Sequence, residues 1–284
     1  MSHSSPKQII HIKPNQSWLR IDLKSIYEYR DLLWLLIRRD FVSKYKQTIL
    51  GPSWAVIQPI MLSVVFSLIF GKVAQIPTDG APPFLFYLCG LLLWQFFAGT
   101  VQTAGNSLQG NAAILGKVYF PRIIPPLATT ISQLIPLAIQ FCIFIGFYIY
   151  FSSQSTNSQL QISSSILLLP LLLLQVMIFG LGISLCFSAL TAKYRDFQHA
   201  LTFTIQLWLY ATPVIYPASK LANYDWLLWI NPMAMPISGM KMIFLGTDGF
   251  SLTSWGLSSL ISVVILIIGL LWYQRTARTF IDTA

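Results

Sequence analysis

Residues 110–118, GNAAILGKV, place two glycines ahead of a lysine, the residue types with which phosphate loops cradle a nucleotide. The spacing defeats that chemistry. Five residues rather than four separate Gly110 from Gly116, and Val118 stands where magnesium needs a hydroxyl. The segment ahead of it reads as a membrane helix, whereas a phosphate loop follows a buried strand. Acid–base chemistry fares no better. Asp79, Asp225 and Asp248 are single acids on separate segments, and no D-x-D or H-x-x-H spacing occurs. Cys89, Cys142 and Cys186 each sit inside an apolar run, far from one another and without a C-x-x-C pair. They read as small buried hydrophobes, and no metal site is expected.

Two sets of residues remain. Arg38, Arg39, Lys44 and Lys46 crowd against the Gly51-Pro52 step that leads into the first apolar run. They could hold anionic lipid headgroups, each contributing about 1 kcal/mol near the surface. The same cations would also serve by fixing orientation alone. The second set is aromatic: Trp94, Phe96 and Phe97 in the second run, Trp208 and Tyr210 in the fifth, then Tyr216, Tyr224, Trp226 and Trp229 at the outer end. Ring faces stack on the C–H faces of successive sugars while tolerating hydroxyls at their edges, so such a set can line a path for a glycan. Each ring is equally good packing volume between helices.

These residues have to be positioned by membrane helices. The 284-residue chain is 55% hydrophobic and only 10% charged, against about 25% charged in soluble domains. Six runs reach the ~20 residues that cross a bilayer: Ser53–Lys72, Phe84–Ala104, Ile123–Phe151, Ser163–Ala192, Ala200–Pro217 and Leu252–Gln274. Pro125, Pro126 and Pro136 predict a bend in the third. A seventh stretch, Trp226–Phe244, contains Asn231, Pro232, Pro236 and Lys241 and is expected to form short re-entrant or interfacial pieces. With six spans the inner segments hold 15 cations and 6 acids, whereas the outer loops, Lys241 among them, hold 3 of each. Such a bias places both termini in the cytoplasm. No cleavable signal peptide is visible.

The expected architecture is therefore an all-α integral membrane protein. It has six transmembrane helices, an N-terminal interfacial amphipathic helix, and short re-entrant or gate helices between the fifth and sixth spans. Its parts are a cytoplasmic N-terminus and interfacial helix (1–52), the membrane domain (53–274) and a cytoplasmic tail (275–284). Ile26, Tyr29, Leu33, Ile37 and Phe41 share one face of the interfacial helix. The net charge of +9 is spread over inner segments as orientation signals are, so no nucleic-acid partner is expected. None of the six runs contains Asp, Glu, Lys or Arg away from its ends. Proton- or ion-coupled transport needs such groups, so energy for transport is expected from outside the chain.

Four stretches carry a resemblance: RRDFVSKYKQTILGPSWAVIQP, NAAILGKVYFPRIIPP, LTAKYRDFQHALTF, and TPVIYP followed by NPMAMPI. In these, and in their order along nearly the whole chain, the sequence resembles the membrane subunit of type-2 ABC exporters of the polysaccharide and O-antigen group. The resemblance implies a homodimer with the pore between its subunits and two separate ATPase subunits docked below. It implies no cofactor on this chain, with ATP and Mg on the partner ATPase. The loop holding Asn111, Lys117, Tyr119, Phe120 and Arg122 would couple to that ATPase. Asn231, Pro232 and Pro236, with Tyr224, Trp226 and Trp229, would form a periplasmic gate. The cargo would be a lipid-linked polysaccharide crossing the bacterial cytoplasmic membrane. Capsule, teichoic acid, a drug or a small lipid are alternative cargoes, and a membrane enzyme acting on lipid-linked sugars is the more distant alternative.

Overall fold

The computed structural model describes residues 23–46, 48–115, 118, 120–154, 160, 163–194, 196–220 and 225–283, and every regular element among them is helical. Helices α1 (Leu23–Glu28) and α2 (Arg30–Tyr45) precede the first span. The chain turns into the membrane at Gly51, whose φ of +50° suits a residue without a Cβ, and Pro52 opens the next turn. α3 (Trp54–Phe66) continues through a widened π-helical stretch, Ser67–Val73. α4 (Pro83–Ala104) follows, then the short α5 (Ser107–Gly110) and α6 (Ala112–Leu115). The third run is α7 (Ile124–Ser132) and α8 (Leu134–Gln154), broken at Gln133. Pro136 explains the break, because it has no N–H to offer the carbonyl four residues back. α9 (Leu169–Lys193), α10 (Phe197–Tyr210), α11 (Asp225–Ile230), α12 (Ala234–Leu245) and α13 (Leu252–Thr283) complete the chain.

Among the described residues five segments are long and apolar enough to cross a bilayer: Gly51–Val73, Pro83–Ala104, Ile124–Gln154, Ser164–Lys193 and Leu252–Thr279. The protein is a multi-pass membrane protein. The sixth expected span, Ala200–Pro217, is only partly helical. α10 has 14 residues, about 21 Å at 1.5 Å per residue, short of a ~30 Å hydrocarbon core. Its apolar run continues instead as an irregular turn containing Pro213, in which Thr212, Val214 and Ile215 are buried. The stretch 226–244 forms two short helices, α11 and α12, separated at Asn231–Met233. The expected tail from residue 275 continues α13 without interruption to Thr283.

α4 is the hub. Every residue from Leu85 to Trp94 is buried, and the helix packs against α3, α8, α9 and α12. A helix apolar on all sides belongs in the centre of a bundle. α9 and α13 form the most extensive helix pair. α2 lies on α7 and buries Leu36 and Ile37, with Tyr29, Leu32 and Leu33 packed beside them. Its apolar face is thus shared with the chain's own third span, while Trp34 and Leu35 face outward.

Candidate transport path, gate and coupling loop

The aromatic residues of the second run do not line a lumen. Trp94, Phe96 and Phe97 are buried inside the single chain. Phe97 stacks on Phe179 with ring centroids 5.2 Å apart, and Trp208 meets both rings edge-on at 5.5 and 5.6 Å. That geometry is the favoured one for packed aromatic pairs. The rings therefore hold α4, α9 and α10 together. Tyr210 is different: it lies at the end of α10 and is 58% exposed. Tyr216, half-buried, donates its hydroxyl to the Tyr210 carbonyl at 3.3 Å.

The exposed side of α10 supplies a feature the sequence reading passed over. His199, Thr202, Phe203, Gln206 and Tyr210 recur at helical spacing and are all exposed, while Leu201 and Ile205 on the other side are buried. The hydroxyls of Thr202 and Thr204 are satisfied by the carbonyls of Gln198 and Ala200. The Gln206 amide has no partner among the described residues. An amide left unpaired in hydrocarbon costs several kcal/mol, on the order of 2–7. This face is built for water, a polar ligand or another chain.

At the opposite end from the basic loops, Asn231 organises the junction of α10 and α12. Its Nδ2 donates to the Ala211 carbonyl at 3.1 Å and to Thr212 Oγ1 at 2.9 Å. Its Oδ1 accepts from Trp208 Nε1 at 3.2 Å and from the Met233 amide at 3.1 Å. Gln175 of α9 donates to the Pro232 carbonyl and to Ser258 Oγ of α13. Of the expected gate residues, Asn231, Pro232 and Pro236 are thus buried and tied in, whereas Trp226 and Trp229 are exposed. Tyr224 lies outside the described residues.

Lys241 corrects the sequence reading. Counted there as an outer-loop cation, it sits on α12 at only 2% exposure. Its ammonium donates to the carbonyls of Pro213 (2.7 Å) and Val214 (3.0 Å) and lies 3.5 Å from the Phe86 ring centre. Gly90 makes the room, since a Cβ there would stand 3.1 Å from Lys241 Cε. The physical reason is the irregular turn after α10. Its carbonyls have no helical donors, and a buried ammonium supplies them.

The loop expected to couple to an ATPase is fastened to the chain itself. Asn111 is buried and donates to the Ser107 carbonyl at 2.8 Å. Ser107 and Ser188 hydroxyls meet at 3.1 Å, and Thr191 Oγ1 donates to the Gly105 carbonyl. Phe120 is buried in a cluster with Leu36, Ile124, Leu185 and Tyr273. Arg122 donates to the Ala277 carbonyl, and Tyr273 donates to the Arg122 carbonyl at 2.8 Å. Val118, 56% exposed, presents a surface here, while Lys117 and Tyr119 lie outside the described residues. Phe120→Ala is accordingly expected to cost about 3–5 kcal/mol, as truncation of a core aromatic does. A lowered thermal midpoint of the purified protein, followed by size-exclusion after heating, is the check.

The four basic residues before the first span divide. Arg38, Arg39 and Lys46 are exposed, with Arg39 donating to Asp40 at 2.8 Å. The Lys44 stem is exposed, but its ammonium reaches 3.5 Å from Gln133 Oε1, and burial there pushes its pKa below the ordinary lysine value. Gln133 in turn donates to Thr103 Oγ1 at 3.3 Å. Among the described residues no group of three or more His, Cys, Asp or Glu could hold a metal.

The chain is 26% identical over 255 residues to the O-antigen export system permease protein RfbA of Klebsiella pneumoniae, covering 89% of this chain and 94% of that protein. It is also 26% identical over 225 residues to the Myxococcus xanthus protein of the same name, covering 78% and 83%. Residues 31–245, from the body of α2 to the end of α12, match the ABC-2 type transporter family. They take in the short pair α11 and α12 and the loop clamped to α9 and α13, and on that match the chain belongs to the ABC-2 type transporter family.

Proposed function

We propose that this chain is the permease subunit of an ATP-driven exporter that moves a lipid-linked, O-antigen-like polysaccharide across the bacterial cytoplasmic membrane. Membership of its family brings an ATP-binding-cassette ATPase as partner. The relatives' names supply the cargo class. The observation that carries the reading is the exposed α10 stripe. It joins unpaired amide and imidazole groups to the rings of Phe203 and Tyr210, and it contains no permanently charged side chain. Uncharged hydrogen-bonding groups interleaved with ring faces suit a chain of sugars, which slides past them without a strong grip. Two copies with these stripes facing would enclose a polar path and remove the amides from lipid. In that arrangement both termini lie in the cytoplasm, ATP and Mg stay on the partner, and Trp226 and Trp229 stand at the periplasmic mouth. The exposed part of the loop around Val118 and the α2 surface bearing Arg38, Arg39 and Lys46 face the ATPase and the headgroups.

Cells lacking this chain are expected to accumulate the polymer inside and lose it from the surface. In such cells, Gln206→Leu combined with Tyr210→Ala is expected to restore surface polymer at least about tenfold less well than the unaltered chain, a change of roughly 1.4 kcal/mol in the path. Quantitative blotting of surface polymer, normalised to protein in the membrane, is the measurement. Full restoration by the double variant would refute the stripe as the path.

A further inference from the structure

Where α4 ends and α10 begins, Gln102, Asn106, Gln198, His199, Leu201 and Thr202 surround an open cleft of about 310 Å³. That size lies at the lower end of small-molecule sites, about 300–1,000 Å³. The cleft stands at the foot of the α10 stripe, on the side of the basic loops. The Thr202 hydroxyl is spent on the Gln198 carbonyl, but the side-chain amides are not. Asn106 Oδ1 is buried without a partner, and the side chains of Gln102, Gln198 and His199 have none among the described residues. Buried acceptors left empty in a folded protein need an explanation, and a ligand is one.

The chemistry of the lining selects the ligand class. No lining residue is an acid or a permanent cation. The N-terminus of α10 offers no anion cradle either, because the amides of Phe197, His199 and Ala200 already donate to Tyr194 and Asp196 carbonyls. Among these lining residues a pyrophosphate group would find no permanent compensating charge. A neutral sugar ring would find amides, each of which presents a donor and an acceptor side by side, as adjacent hydroxyls require.

We propose that this cleft is an entry subsite that binds one or two uncharged sugar units of the cargo before they engage the α10 stripe. Gln102 and Gln198 hold the hydroxyls, with Asn106 lining the cleft beside them. The assignment rests on the polysaccharide reading above, and the test separates the two.

The experiment uses the whole exporter, this chain with its ATPase, in lipid nanodiscs and in cells. Thr202→Cys in a Cys142→Ser background places a reporter thiol in the cleft and removes the exposed native one. The probe is the delipidated polymer that accumulates in the deletion strain, with inorganic pyrophosphate as the comparison. Maleimide labelling of the reporter is expected to slow severalfold with polymer and to be unchanged by pyrophosphate. In cells, Gln102→Trp with Thr202→Trp, which fills the cleft, is expected to lower export at least about tenfold while the variant still co-purifies with the ATPase. Protection by pyrophosphate, no protection by polymer, or normal export from the filled variant would each overturn the subsite. So would loss of the ATPase from the filled variant, because the cleft would then be a docking surface. If the deletion strain accumulates no polymer, the parent reading fails and the subsite with it. If polymer accumulates but the cleft variants behave as the unaltered chain, the subsite alone fails.

Discussion

Lys241→Glu is expected to yield no stably folded protein, and Lys241→Met a protein weakened by about 2–4 kcal/mol. The opposing terms can be weighed. Removing a buried ammonium relieves a desolvation cost of several kcal/mol. Against that stand two charge-assisted hydrogen bonds, to the Pro213 and Val214 carbonyls, about 1.5–3 kcal/mol each. The contact with the Phe86 ring adds about 2 kcal/mol where water is absent. Methionine fills the volume but leaves both carbonyls without a donor. Glutamate turns an acceptor toward acceptors, which makes it the worst of the series. Arginine would keep the charge, yet Gly90 and Val214 leave little space around the Lys241 stem, so Lys241→Arg should also destabilise through crowding, by about 1–3 kcal/mol. Midpoints of heat-induced loss of the monodisperse peak rank the three. A Lys241→Met protein as stable as the original would show that the ammonium contributes nothing to the junction of α10 and α12.

Lys241 also shows what the sequence could and could not convey. The long spans were legible because lipid imposes one requirement, ~20 apolar residues, and the five long helices meet it. The break in the third run was legible from Pro136, and the break in 226–244 from Asn231 and Pro232, because a missing donor is a property of the residue itself. A hydropathy count over 200–217 could not show that the chain leaves helical geometry after Tyr210, since Val214 and Ile215 are as apolar in a buried turn as in a span. Charge counting placed Lys241 outside because it cannot see a carbonyl partner supplied 28 residues earlier.

The aromatic residues make the same point at the candidate site. Composition shows that Trp94 and Phe97 are aromatic; direction depends on which helix is central. One signal was present. The second run has Gln95 as its sole strongly polar residue between Phe84 and Gly99, and so has no water-facing side. In α10 the polar residues recur with the helical period, at His199, Thr202 and Gln206, and that recurrence identifies an open face. Lys241, a buried cation, is sealed between α4, α12 and the turn rather than placed on this face. The exposed α10 stripe itself carries no acid, lysine or arginine.

Gly269→Val is expected to abolish assembly of the protein, whereas Gly256→Ala on the same helix should leave it intact. At Gly269 a Cβ would stand 2.4 Å from the Gly182 carbonyl oxygen, and at Gly182 one would stand 2.8 Å from the Leu266 backbone. These neighbours are main-chain atoms that cannot rotate away, so α9 and α13 would have to separate. Within a membrane, helices associate through close packing and interhelical hydrogen bonds, because lipid is as apolar as the side chains. Separation would strip that packing along the most extensive helix pair of the fold. It would also pull on two ties at opposite ends of α13: Ser258 with Gln175 and thence Pro232, and Tyr273 with Arg122. The junction before α12 and the loop before α7 are both fastened to this single helix, so the loss should exceed about 4 kcal/mol, as large steric clashes in a core do. Gly256 meets nothing within 4 Å and serves as the internal control for helix propensity, worth at most about 1 kcal/mol. Membrane abundance and size-exclusion profiles of the two variants decide the matter. A Gly269→Val protein with the profile of the original would mean that α9 and α13 do not approach through their glycines, and the shared anchoring of gate and loop would have to be sought on another helix.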